Sequence, residues 1–242
     1  MKRLLALLAT AALVLPACES TQSKSARLER EGGGALREKG VVVTRQSPDV
    51  KVVSTGAVQD ENGTAVVVRV RNTGRRALAQ VPISIDVRGR SRKSLFRNDD
   101  PGLEPTLVHA PLLRPGEEFG WVNDQVTAAE RPQDVRAKVG EGPAVDAARV
   151  PRISLTRPRL RQDPVSGVAA AGFAANRSRV EQRKLIVFAV ARKGSRVVAA
   201  GRAQINRLQA GKRARYTVFF IGNPRGARIS VSAPPTRLGG DE

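Results

Sequence analysis

Few side chains in this chain could do acid–base or ligand chemistry. The single histidine, His109, lies between Pro105 and Pro111. As a general base it would need a positioned nucleophile and an orienting carboxylate. No Gly-x-Ser-x-Gly string is present, so His109 reads as a loop residue. Asn98-Asp99-Asp100 with Glu104 offers the hard oxygen ligands that Ca²⁺ takes. Their spacing matches no EF-hand loop, and the cluster reads as a solvated acidic turn. One histidine and one cysteine exclude His-pair and cysteine-rich metal sites and any intrachain disulfide. No Gly-rich phosphate loop, dinucleotide fingerprint or paired catalytic carboxylates occur. The expectation is a non-enzymatic protein with no catalytic residue, cofactor or metal.

What the chain has in quantity is positive charge. Its 242 residues carry 42 Lys and Arg against 22 Asp and Glu, a net +20. The excess is not spread evenly. Residues 48–149 hold 15 basic and 14 acidic side chains, whereas residues 150–237 hold 19 and 2. Codon bias toward arginine should act on both regions alike, so it does not explain the asymmetry. A field of one sign attracts anionic partners. With only eight aromatic residues, the chain is poor in stacking platforms for single-stranded nucleic acid.

The lone cysteine, Cys18, closes a signal-like segment. Lys2 and Arg3 precede an apolar run from Leu4 to Leu15. Twelve helical residues rise about 18 Å, short of the roughly 30 Å of a bilayer core. Leu15-Pro16-Ala17-Cys18 resembles a bacterial lipobox, with Pro16 a mild departure from the favoured small or hydroxyl residues. The resemblance implies cleavage between Ala17 and Cys18 and a lipid on the Cys18 sulfur. It places the protein outside the cytoplasm, on the bacterial cell membrane. Several acyl chains, at about 0.8 kcal/mol per buried CH₂, anchor a protein without a spanning helix. Residues 18–47, polar and interrupted by Gly32-Gly33-Gly34, read as a flexible tether with a reach of roughly 30 Å.

Beyond the tether the pattern becomes short alternating strands. Val66, Val68 and Val70 alternate with Val67, Arg69 and Arg71, and Val81, Ile83, Ile85 and Val87 with Pro82, Ser84, Asp86 and Arg88. Period two with one polar face predicts half-buried antiparallel strands. Pro82 predicts an edge strand or a strand end, and Asn62-Gly63 a hairpin. The second half repeats the order. Asn72 matches Asn176, Val81–Val87 matches Lys184–Val190, and Leu113-x-x-Gly116-x-x-x-x-Trp121 matches Leu208-x-x-Gly211-x-x-x-x-Tyr216. The Asn-to-Gly spacing is 44 residues in the first copy and 35 in the second, which places an insertion within 96–111 of the first. Trp121, Tyr216, Phe119, Phe173, Phe188 and one of Phe219 and Phe220 are expected in the core.

These features predict an all-β chain of two tandem immunoglobulin-like sandwiches. The divisions are a signal at 1–17, a tether at 18–47, sandwiches at 48–149 and 150–237, and a disordered tail at 238–242. The ordered motifs, above all Val168–Asn176, Val187–Gly201 and Leu208-x-x-Gly211 leading to Phe219, resemble the bacterial FxLYD-type extracytoplasmic domains. The Phe-x-Leu-Tyr-Asp string itself is absent. That resemblance implies an envelope protein that binds or scaffolds.

If six full-length strands alternate through the second half, its connections fall at two opposite ends. Arg157, Arg159, Arg161, Arg192, Lys193 and Arg225 then gather at the far end as candidate anion ligands. Lys212 and Arg213 fall at the near end, opposite Glu117 and Glu118 of the first half, as a candidate inter-domain contact. The partners expected are the membrane through the lipid, and anionic lipid headgroups, wall polymers or an acidic envelope protein through the basic half. A spacer or scaffold without a specific ligand is the alternative, and a surface nucleic-acid binder the lesser one.

Overall fold

A computed structural model describes residues 40–164 and 167–240. Ala17, Cys18, the signal segment and the tether up to residue 39 lie outside the described residues. The first half contains β1 (Val50–Asp60), β2 (Gly63–Asn72), β3 (Ala77–Arg88), β4 (Ser94–Arg97), β5 (His109–Leu113), β6 (Glu118–Val126), β7 (Asp134–Val139) and β8 (Ala144–Val145). The second contains β9 (Ile153–Leu155), β10 (Arg159–Asp163), β11 (Gly167–Asn176), β12 (Gln182–Lys193), β13 (Arg196–Leu208), β14 (Arg213–Phe219), β15 (Ile221–Gly222) and β16 (Arg228–Ser232). Every pairing among them is antiparallel. The fold is all-β and sandwich-type, as the alternation predicts.

Each half pairs two sheets. In the first, β1-β2-β6 faces a sheet centred on β3, which pairs with β5 and β8 over its first residues and β4 and β7 over its last. In the second, β10-β11-β14, with β9 also on β11, faces β15-β13-β12-β16. The Asp60-Glu61-Asn62-Gly63 turn closes β1 on β2, with Gly63 at φ +131° and the Asn62 N–H donating to Asp60 Oδ1 at 2.8 Å. Pro82 does not mark an edge strand. β3 is central, and Pro82 sits where its neighbour passes from β7 to β8, its carbonyl accepting from Gly140 N at 2.8 Å.

The two halves share one hydrophobic core cluster and belong to a single compact unit. β2 and β12 explain why. Thr64 to Val68 on β2 and Leu185 to Ala191 on β12 are buried continuously, on both faces. Unbroken apolar runs are what strands covered on both sides require. Leu185, Val187, Ala189 and Ala191 face the second half's own core, whereas Ile186, Phe188 and Val190 join the first half's. Burying each of these last three contributes about 1.5–3 kcal/mol. Gly120 of β6 lets the layers meet: a Cβ there would stand 2.8 Å from Val190 Cγ2. The Phe119 and Phe188 rings meet at 5.7 Å across the same boundary. The order of sheets is therefore β3 sheet, β1-β2-β6, β12-β13 sheet, β10-β11-β14.

Equivalent positions are set by two pairs. Asn72 and Asn176 end matching strands, and Gln80 (φ +46°) and Lys184 (φ +48°) adopt the same left-handed backbone. Both pairs lie 104 positions apart. Val81 therefore matches Leu185, one residue on from the match expected at Lys184. A slip of one residue exchanges the faces of a strand. In the corrected register Ile186, Phe188 and Val190 replace Pro82, Ser84 and Asp86, which are partly exposed on β3. The insertion falls where expected. β4, a 3₁₀ turn at Pro105–Leu107 and β5 take the place of the continuous β13.

Candidate anion-binding face

The same sheet face meets different fates in the two halves. In the first, the outward face of β2 and β6 carries Ala65, Val67, Gly120 and Val122 and is covered by β12 and β13. The equivalent residues of the second half are Ala169, Ala171, Arg215 and Thr217, on the last sheet of the stack. Register places Arg161, Ala169 and Phe219 in one row across β10, β11 and β14, and Arg159, Ala171 and Thr217 in the next. Phe173 pairs with Arg215, and Ala175 with Arg213. Rows on one face repeat about every 7 Å, and β10 lies about 10 Å from β14 across β11. Low alanines thus form a floor between arginine rails.

Over this floor lies a groove of about 750 Å³ lined by Thr156, Arg157, Pro158, Arg159, Arg161, Ala171, Gly172, Phe173, Arg215 and Thr217. No acidic side chain is among its lining residues. Arg157, Arg159, Arg161, Arg213 and Arg215 are exposed, and none has a salt-bridge partner among the described residues. The Arg213 guanidinium stacks over the Phe173 ring at 4.7 Å, and that of Arg215 lies 5.7 Å from the same centroid. Such stacking orients a guanidinium while leaving its N–H edges free for an oxyanion. Phe173, expected in the core, is 38% exposed because it stands on the outward face of β11, in register with Arg215. Phe219 and Phe220 divide as anticipated, with Phe219 outward and Phe220 buried.

The wall at residues 156–158 is fixed by Thr156. Its N–H donates to Phe173 O at 2.9 Å, its hydroxyl oxygen accepts from Phe173 N at 2.9 Å, and its carbonyl accepts from the Tyr216 hydroxyl at 3.1 Å. Burial raises the Tyr216 hydroxyl above its ordinary pKa, so it stays a donor.

The six residues expected at one end do not form one cluster. The chain from 159 to 163 is an additional edge strand, β10, so the alternation of ends assumed for six strands does not hold. Arg157, Arg159 and Arg161 line the outer groove. Lys193 and Arg225 line a second concavity of about 730 Å³ where the halves meet, with Arg131, Arg196, Asp60 and Glu61. There Arg225 donates to Gln162 Oε1 at 2.7 Å and Gly222 N to Asp60 Oδ2 at 2.7 Å. Arg192 closes its own hairpin by donating to Ser195 O at 2.8 Å.

Glu117, Glu118 and Arg213 are partnered within their own halves. Glu117 accepts from Arg114 N at 2.8 Å, Glu118 pairs with Arg69 at 3.0 Å, and Arg213 stacks on Phe173. Lys212 sits in the turn where its N–H donates to Gln209 O. Arg202 of β13, whose side chain is 7% exposed, makes salt bridges between the halves. It reaches Glu104 Oε2 at 2.6 Å, Asp124 Oδ1 at 2.9 Å and Thr106 Oγ1 at 2.9 Å. Burial raises Glu104, but hydrogen bonds from Thr106 and Arg202 and the charges of Arg202 and Lys184 outweigh it and hold the carboxyl low. Burial dominates at Asp124 and raises it despite Arg202. Arg202, Arg215 and Phe173 were missed because their roles depend on which sheet face is covered. The replacement of Gly120 by Arg215 at matched positions was the one available signal.

The other groups that could ligate or react have partners within the fold. Asn98 is buried, accepting from Ile85 N at 2.7 Å and donating to Ile83 O and Leu107 O at 2.8 and 3.0 Å. Asp99 lies 3.8 Å from Arg97. Among the described residues no three His, Cys, Asp or Glu side chains gather as metal ligands. His109 Nδ1 lies 3.2 Å from Pro105 O, and burial lowers its pKa. Gly239 is bonded to Arg149 through N–H···O at 2.8 Å and Nε–H···O at 2.6 Å, so the described part of the tail, 238–240, is held. Comparison with protein-family models and with curated proteins finds no match to this chain.

Proposed function

We propose that this is a non-enzymatic bacterial lipoprotein, anchored outside the cytoplasm through Cys18, that binds anionic envelope material through its basic second half. The observation that carries the reading is the row of exposed arginines without salt-bridge partners on the β10-β11-β14 face. In the first half the positions of Arg159, Arg161 and Arg215 are taken by Gly56, Val58 and Gly120, small apolar residues on the side that the second half packs against, while Arg213 stands where Glu118 does. Guanidinium groups left unpaired by their own protein and preorganised by an aromatic ring suit phosphate, sulfate and carboxylate. Lipid anchorage would hold this face near the envelope, where each basic group beside an anionic surface contributes about 1 kcal/mol, screened by salt.

Two measurements test the reading. The full chain is expected to be retained on an anionic matrix at low salt and released as salt rises. Failure to be retained at low salt overturns the binding function. Mass spectrometry of membrane-fraction protein is expected to find a lipid-modified Cys18 as the first residue. An unmodified N-terminus at or before Glu19 overturns the anchor.

A further inference from the structure

We propose that the outer groove holds a sugar ring carrying anionic groups, as a unit of an acidic polysaccharide. This rests on the reading that the second half binds anions, and names the site and the ligand.

Three features select this ligand. The guanidinium groups stand on opposing walls, Arg159 and Arg161 on β10 and Arg215 on β14. The walls are about 10 Å apart, so one occupant meets both only if it bears oxyanions on two sides of a body about one ring wide. A flat lipid surface would touch the arginine tips and leave the groove empty. The floor, Ala171 with the Gly172 backbone, has no side chain tall enough to exclude a ring, and Pro158 offers it an apolar edge.

The third feature weighs against a nucleobase. Phe173 is the one aromatic ring lining the groove, and Arg213 already stacks on it at 4.7 Å. Single-strand binders stack successive bases on a series of aromatic side chains, and this groove has one ring. Here that ring is used to hold a cation. The volume of about 750 Å³ lies within the usual range of small-ligand clefts. Because β10 is an edge strand, the groove is open along one side, and the rest of a polymer can pass out over it.

The test is calorimetric titration of the full chain with four probes: a heparin octasaccharide, polyphosphate of matched charge, a single-stranded oligonucleotide, and vesicles containing phosphatidylglycerol. The octasaccharide is expected to bind at least tenfold more tightly than the others. Arg159→Ala with Arg215→Ala is expected to weaken it tenfold or more, and Arg177→Ala with Arg179→Ala less than twofold. Ala171→Leu raises the floor and keeps every charge. It is expected to weaken the octasaccharide at least fivefold and polyphosphate less than twofold. Equal losses for both probes with Ala171→Leu, or preference for oligonucleotide or vesicles, overturns the sugar site while leaving anion binding intact. No binding of any probe at low salt overturns both readings. Unchanged thermal unfolding of each variant shows that the losses are not unfolding.

Discussion

Asn72 and Asn176 make the same three backbone hydrogen bonds in the two halves. Asn72 Nδ2 donates to Arg76 O and Leu113 O at 2.8 and 3.1 Å, and its Oδ1 accepts from Gly74 N at 2.9 Å. Asn176 Nδ2 donates to Val180 O and Leu208 O at 2.8 and 3.2 Å, and its Oδ1 accepts from Ser178 N at 3.1 Å. In both, the residue's own N–H donates to the residue after the Leu-x-x-Gly glycine, Glu117 or Lys212. A side chain carrying both donors and an acceptor ties the strand end, the turn after it and the distant Leu-x-x-Gly turn into one corner.

Replacing either asparagine by alanine leaves backbone groups unpaired beside a buried position. Asn72→Ala and Asn176→Ala are each expected to lower stability by about 2–3 kcal/mol. Because the halves share a core, both should shift a single urea transition. Two separated transitions would contradict the shared core, and a loss below about 0.5 kcal/mol would contradict the role of the corner.

Gly120→Ala places a methyl 2.8 Å from Val190 Cγ2. Overpacking of this kind costs about 1–3 kcal/mol. Val190→Ala added to it should recover stability relative to the two single losses summed, by about 1 kcal/mol in a double-mutant cycle. Strict additivity would place the clash elsewhere.

The Arg202 contact has an opposed pH dependence. Glu104 is held below its ordinary 4.5, so its contribution is present above that pH and lost as pH falls. Asp124 is raised above 3.8, so its contribution is present at low pH and lost as pH rises through the raised value. Thermal unfolding between pH 3 and 6 should therefore show less acid destabilisation in Glu104→Gln, and more in Asp124→Asn. At neutral pH, Arg202→Met should cost about 2–4 kcal/mol, since it strands two carboxylates. An Arg202→Met loss within experimental error of zero would show that the contact does not hold the halves.

Gln80 occupies the left-handed region at φ +46°, where a side chain is strained. Gln80→Gly is expected to stabilise by about 0.5–1 kcal/mol, and Gln80→Val to destabilise. Denaturant midpoints check both, and a loss with glycine would mean that the Gln80 side chain contributes more than its strain.

Most of the strands and the matching Asn and Leu-x-x-Gly turns of the two halves were legible because turn chemistry and period two are local. The one-residue slip at Lys184–Val190 arose where β12 reads Leu-Ile-Val-Phe-Ala-Val-Ala, a run with no polar face to set parity. The positive φ shared by Gln80 and Lys184, which sets the register, leaves no mark in residue type. β10 carries no strand signal because Arg159 to Gln162 are exposed on both faces and follow Pro158, so neither alternation nor burial marks it. The arginines are explicit in the sequence, but the groove depends on the β10 edge, which is not.

The halves join by unlike faces, the β2–β6 surface of one on the β12 surface of the next. A contact of that kind is not self-limiting, since each added unit offers the next its free face, and such head-to-tail joining builds fibres. Here both free faces are spoiled for it. One end presents Arg159, Arg161, Arg213 and Arg215, and the other presents Pro82, Ser84 and Asp86 where Ile186, Phe188 and Val190 would be needed. Polar outer faces of this kind are what tandem-repeat proteins require at their ends for solubility. The charge of the arginine face therefore works against stacking of a further unit on that sheet, whatever the face binds.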